Sequence, residues 1–182
     1  MFIEALILAV ILGYLLKGKL RNLEYVKIRG VYCVILPFLF EAIMNLLVRL
    51  RYIHPSFITL ILVIALYLFL LYFTFLNRKN PFILIMGFGF LLNGIVIIIN
   101  GGVMPVSYNS SIMAGSSNYV NIRNIGLYEL IDSHTKLWVL GDIFPLKLGL
   151  KFIFSIGDVF ISLGLILFTI TGMKKTKKAI DL

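Results

Sequence analysis

Five stretches of unbroken apolar sequence constrain this chain more than anything else. They run over residues 2–16, 31–48, 56–76, 81–99 and 152–172. A helix that crosses the hydrocarbon core of a bilayer needs roughly 17–25 mostly apolar residues. Backbone in lipid must satisfy its own hydrogen bonds, which leaves helices and closed barrels. The runs are continuous rather than alternating, so barrel strands are disfavoured. The chain is 60% hydrophobic, against roughly 45–50% for soluble domains, so most of this surface must face lipid. The expected fold class is all-α: one polytopic transmembrane helix bundle of five spans, filling residues 1–182. The start, MFIEALILAV, has no basic residues ahead of its apolar run, so it reads as a retained first span rather than a signal peptide.

Charge sets the expected orientation. Eleven of the seventeen Lys and Arg residues follow spans 1, 3 and 5: Lys17, Lys19, Arg21, Lys27, Arg29, Arg78, Lys79, Lys174, Lys175, Lys177 and Lys178. The positive-inside rule then places the N-terminus outside and the C-terminus in the cytoplasm of a multi-pass cell-membrane protein. Residues 101–150 become an extracytoplasmic segment, although Arg49 and Arg51 fall on that outer side. The net charge of +9 fits anionic lipid headgroups as partners. No basic stripe interleaved with aromatics points to nucleic acid. Cys33 is the single cysteine; no internal disulfide can form, and no Cys/His spacing suggests zinc. No cofactor or metal is expected.

Within this frame a few polar groups stand out. Span 2 carries Pro37, which removes a helical hydrogen bond, and Glu41 near mid-membrane, with Asn45 one turn further. Span 3 is apolar and aromatic, and Tyr67, Phe69, Tyr72, Phe73 and Phe75 read as lipid-facing filler and interfacial belt. Span 4 holds Asn93 and Asn100 on one face, and Asn100-Gly101-Gly102 followed by Pro105 forms a strong helix stop. In the outer segment, Asn124 is placed to cap an interfacial helix near 124–133, followed by His134 and the interface anchor Trp138. Span 5 repeats Ser155, Ser162 and Thr169 every seven residues, with Asp158 on the same face and Gly157 and Gly164 beside it. Such a face packs on protein, not lipid.

Asp142 and Asp158 lie sixteen residues apart, with Pro145 and Gly149 between them where the chain can turn. An ionisable group inside a membrane run marks a functional site by default. Two carboxyls brought together share a proton and titrate as a pair, so that one can serve as base and the other as acid.

The pieces NGGVMPVS (100–107), HTKLWVLGDIFP (134–145) and FSIGDVFISLG (154–164) resemble an uncharacterised bacterial family of five-span membrane proteins, domain-of-unknown-function family 5317. That resemblance covers essentially the whole chain and implies architecture but no activity. FSIGDVFISLG is also similar to a motif of signal peptidase II, the lipoprotein signal peptidase, through Phe154, Asp158, Ile161 and Gly164. Ser155 and Gly157 stand where that family has Asn and Ala. The stretch Leu140-Gly141-Asp142-Ile143-Phe144 is similar to the surroundings of the family's other catalytic Asp, and Asn100-Gly101-Gly102 to its Asn-x-Gly motif. Its Asn-x-x-Asp-Arg motif has no counterpart here, and it has four spans rather than five. This second resemblance implies an aspartic peptidase acting on a membrane-embedded peptide or lipoprotein.

Three functions are therefore expected to compete. The first is an intramembrane aspartic hydrolase with Asp142 and Asp158 catalytic, and Asn100, Asn93, His134 and Ser155 binding or supporting. The second is a non-enzymatic module in which Asp158, Asn93 and Glu41 are interhelical hydrogen-bonding groups, its partner another membrane protein. The third is a small ion-coupled carrier using Glu41 and Asp158, against which the lack of an internal repeat counts.

Overall fold

The computed structural model describes residues 2–53, 57–114, 127–148 and 150–174. Five apolar helices carry it: α1 (Phe2–Leu15), α2 (Tyr32–Arg49), α3 (Phe57–Leu76), α4 (Pro81–Ile99) and α6 (Ile156–Lys174), with a short helix α5 (Tyr108–Ala114). α3, α4 and α6, of 20, 19 and 19 residues, are long and apolar enough to cross a membrane. α1 and the apolar stretch Tyr32–Val48 are shorter. Large apolar side chains cover the outside of the bundle; Leu15 and Phe57 are 73% and 75% exposed. Apolar cover of that extent marks a surface that meets lipid rather than water.

The helices start and stop where local chemistry dictates. The Asn80 side chain accepts from the backbone N–H of Phe82 at 3.0 Å, and Pro81 opens α4, a position where a missing N–H costs nothing. α4 ends at Asn100, and Gly101 and Gly102 take positive φ of 75° and 92°, which glycine does without steric penalty. Gly102 N then donates to Ile97 O at 2.9 Å. α2 runs on through Pro37.

The architecture is mostly helical, with two small two-stranded sheets added. β1 (Met104–Val106) pairs in parallel with β2 (Tyr128–Leu130), and β3 (Phe144–Leu148) pairs antiparallel with β4 (Leu150–Phe154). Two expectations change as a result. Residues 128–130 are strand where an interfacial helix near 124–133 was expected, because Met104 N donates to Leu127 O and Ile131 N to Val106 O; residues 124–126 lie outside those described. The last helix starts at Ile156, not 152, because residues up to Phe154 belong to the β3–β4 ladder.

Packing relies on small residues. Ala5, Ala9 and Gly13 are the buried positions of α1, at four-residue spacing, and Gly13 lies against Met173 of α6. Gly89 of α4 faces Gly157 of α6, and a Cβ on Gly164 would come within 2.7 Å of Phe82 O. Without a hydrophobic drive between helices in lipid, such close approach is what holds them. The aromatic expectation for α3 divides: Phe69, Tyr72 and Phe75 are exposed, whereas Phe73 joins a buried cluster with Cys33, Leu70, Ile83 and Phe90.

Helix alternation gives the bundle two distinct ends. At the first, the buried Asn77 side chain grips the backbone of Arg29 from both sides, at 2.9 and 2.8 Å, and Met173 O accepts from Lys19 N and Asn22 Nδ2. Lys17, Lys19, Arg21, Arg78 and Lys174 cluster there; Lys175, Lys177 and Lys178 lie outside the described residues. At the opposite end sit the strands.

Candidate functional site

β1 is the ruler of the strand end. Asp142 N donates to Pro105 O at 2.8 Å, and Ser107 N donates to Asp142 O at 3.0 Å, forming a parallel bridge between Val106 and Asp142. The backbone of Asp142 is therefore fixed independently of its side chain. Gly141 permits the approach, since a Cβ there would meet Pro105 O at 2.6 Å.

The β3–β4 hairpin then closes the sixteen-residue gap. Phe144 pairs with Phe154, and their rings stack at 5.5 Å. Asp142 thus precedes the open end of the hairpin and Ser155 follows it, which returns Asp158 to the neighbourhood of Asp142.

Ser155 and Asp158 form a capping box at the start of α6. Asp158 N donates to Ser155 Oγ at 3.0 Å, and Ser155 N donates to Asp158 Oδ2 at 3.1 Å. Two otherwise orphaned N–H groups are satisfied reciprocally, as in the familiar Ser-x-x-Glu pattern. Asn93 of α4 completes a triangle. Its Nδ2 donates to Asp158 Oδ1 at 2.9 Å, and its Oδ1 accepts from the buried Ser155 Oγ at 2.8 Å. Both carboxyl oxygens of Asp158 are hydrogen-bonded.

Asp142, Asp158 and Glu41 line one cavity of about 280 Å³, together with Asn45, Asn93 and Tyr67. Asp142 is only 8% exposed, and its Oδ1 is buried without a hydrogen-bond partner. Burial, then the charges of Asp158 and Glu41, push its carboxyl well above the usual range. Desolvation and like charge both penalise the ionised form. Asn45, one turn beyond Glu41, accepts from Leu127 N at 2.9 Å and ties α2 to the strand end. Tyr67 faces this cavity, not lipid. Among the described residues no group of three His, Cys, Asp or Glu could hold a metal ion.

Asn100 and His134 sit apart from the cavity. Asn100 donates to Val96 O and Lys136 O at 2.7 and 2.9 Å, and its Oδ1 accepts from Lys136 N at 2.9 Å. It caps α4 and pins the outer segment. His134 is exposed, and its backbone N–H donates to Asp132 Oδ1 at 2.8 Å. Tyr67 escapes sequence reasoning, and Asn45 was legible beside Glu41 but not its bond to Leu127. The only signal for Asn45 was its shared face with Glu41.

A family model described as a family of unknown function, DUF5317, matches residues 25–170. The chain belongs to DUF5317. All three carboxylates of the cavity fall within the matched residues of this family. The chain is also similar to an uncharacterized protein of Thermotoga maritima, 27% identical over 175 residues, which covers 92% of this chain and 89% of that one. No solved structure matches it.

Proposed function

We propose that this DUF5317 chain is a five-span protein of the cell membrane with its basic end in the cytoplasm, and that its strand-end cavity hydrolyses a membrane-embedded peptide by aspartic chemistry. One observation carries the reading: Asp142, with an unpartnered buried oxygen, lines the same cavity as Asp158. Burial keeps a proton on Asp142, which suits it to donate. Asp158, whose oxygens accept from two N–H groups, takes the base's part. Asp158 removes a proton from water, and the resulting hydroxide adds to the peptide carbonyl carbon while Asp142 gives its proton to the carbonyl oxygen. Collapse of the tetrahedral adduct breaks the C–N bond, the amine takes the proton held by Asp158, and Asp142 regains its own. Environments that separate the behaviour of two carboxyls are what this acid–base division requires. Asn93 and Ser155 act as positioning residues for Asp158.

A second reading has its own support. The capping box and the Asn93 bond give Asp158 a purely structural occupation, as expected of a non-enzymatic module. Single replacement of Asp142 and Asp158 by Asn separates the two. The purified protein is assayed for thermal stability and for cleavage of membrane-peptide substrates. The hydrolase reading expects cleavage to fall at least about 100-fold in both variants, with Asp142→Asn at no cost in stability. Loss of stability in Asp158→Asn, in a wild-type protein that cleaves nothing, supports the module instead.

A further inference from the structure

The cavity has an electrostatic imbalance that the hydrolytic chemistry does not use. Three carboxyl side chains reach it from three separate elements: Glu41 from α2, Asp142 from the β1-bridged segment and Asp158 from α6. No Lys, Arg or His is among the described residues that line it. Carboxylates in a poorly solvated site repel one another, so such a lining is expensive unless protons are kept on it or a positive charge enters. Asp158 is occupied by Asn93 and Ser155. Asp142 is not: its Oδ1 is sealed from solvent and meets no donor. A buried acceptor without a partner is costly, and this one belongs to a side chain that lines the cavity.

The missing donor is not a metal ion on this geometry. A hard cation needs several oxygens within about 2.0–2.6 Å of one point, and no three acidic groups are so placed among the described residues. The carboxyls instead stand around a space of about 280 Å³, near the lower bound of small-molecule pockets. Its other walls are apolar, aliphatic side chains such as Leu66 and Ile161 together with the rings of Phe38, Tyr67, Phe90 and Tyr128. Aromatic faces attract organic cations through the ring quadrupole.

We infer that this cavity binds a ligand bearing an alkylammonium group, with Glu41 as its counter-charge and the unpartnered Asp142 Oδ1 as a hydrogen-bond acceptor for its N–H. The inference names the class of substrate for the proposed hydrolysis and rests on that reading for turnover, but binding stands on the cavity alone. The same ammonium chemistry is offered by a free alkylamine and by an ethanolamine lipid headgroup.

The test uses the full chain in phosphatidylglycerol nanodiscs, with n-butylammonium as probe and n-butanol as its neutral counterpart, by isothermal titration. A second arm adds phosphatidylethanolamine to the nanodiscs and asks whether it competes. Saturable binding of butylammonium at least tenfold tighter than butanol, weakened at least tenfold by Glu41→Gln or by Asp142→Leu, is the expected result. Competition by phosphatidylethanolamine identifies a headgroup as the source; its absence identifies a free amine. Equal binding of the amine and the alcohol by the wild-type protein overturns the inference, as does unchanged affinity in both variants. Should either variant fail to fold, the wild-type comparison still decides. Cation binding without any cleavage sinks the hydrolase reading only. Cleavage with no preference for the cation sinks this one only.

Discussion

Asn93 on α4 donates to Asp158 on α6 across 2.9 Å, and this one bond couples the packing of two apolar helices to the carboxyl in the cavity. The same amide accepts from Ser155 Oγ, so Asn93 holds both members of the capping box. Helix start, helix contact and candidate base are therefore one unit.

Replacing Asn93 by Ala removes a donor and an acceptor in a buried setting. Interhelical hydrogen bonds in membranes are worth less than their burial suggests, and the expected loss is about 1–2 kcal/mol. Thermal unfolding in detergent measures it. Ser155→Ala should cost a similar amount, and the double variant should lose less than the two singles combined, since they share a bond. Strict additivity would mean that the triangle is not formed.

Gly157→Ala places a methyl group 2.6 Å from Asn93 Cγ and 2.8 Å from Gly89 O. The second neighbour is backbone and cannot swing aside. Overpacking of this kind costs about 1–3 kcal/mol, and any shift that relieves it pulls Asn93 off Asp158. Gly101→Ala is the comparison: nothing lies within 4 Å of its Cβ, and only the positive φ of 75° is strained. The expected order of melting temperature is wild type, then Gly101→Ala, then Gly157→Ala.

Run length made the five helices legible, because the apolar stretches are uniform and end at Gly, Pro and charge clusters. The faces of those helices were much less legible. In an almost wholly apolar helix such as α3, periodicity says little about direction, and so Tyr67 read as lipid-facing although it lines the cavity. The strands β1 and β2 are three residues each, too short for alternation to register. The capping box at Ser155 and Asp158 was written in the sequence, but the apolar run begins at Phe152 and hid where the helix starts. Likewise the Ala5, Ala9 and Gly13 stripe was present in plain spacing. Asn100 showed half its role: its cap was legible, its grip on Lys136 was not, since no local rule joins residues 36 apart.

At the basic end, Asn77→Ala offers a test of the fold that leaves the cavity untouched. Its side chain donates to Arg29 O and Phe73 O at 2.8 and 2.9 Å and accepts from Arg29 N. Deleting it strands backbone groups of the loop before α2, at an expected cost of about 1–3 kcal/mol. Protease cleavage between Gly18 and Gly30 should accelerate, while butylammonium affinity stays at the wild-type value.

Asp142→Asn should change the pH dependence of stability in a sign that can be worked out. The folded carboxyl holds its proton above the ordinary range of an Asp, whose reference value is 3.8. The unfolded chain has released that proton once the pH passes this value, so the folded state binds more protons and stability falls as pH rises. The loss continues at up to about 1.4 kcal/mol per pH unit and stops when the folded carboxyl itself ionises. Below the unfolded value the contribution is fully present. An Asn of the same shape has no proton to release, so the difference between the proteins isolates this group. Urea or thermal unfolding from pH 4 to 8 should show the variant gaining on wild type as pH increases, and exceeding it near neutrality. Parallel curves across that range would mean that Asp142 is solvated and ionised like any surface aspartate, and the orphaned oxygen would then have a partner in water.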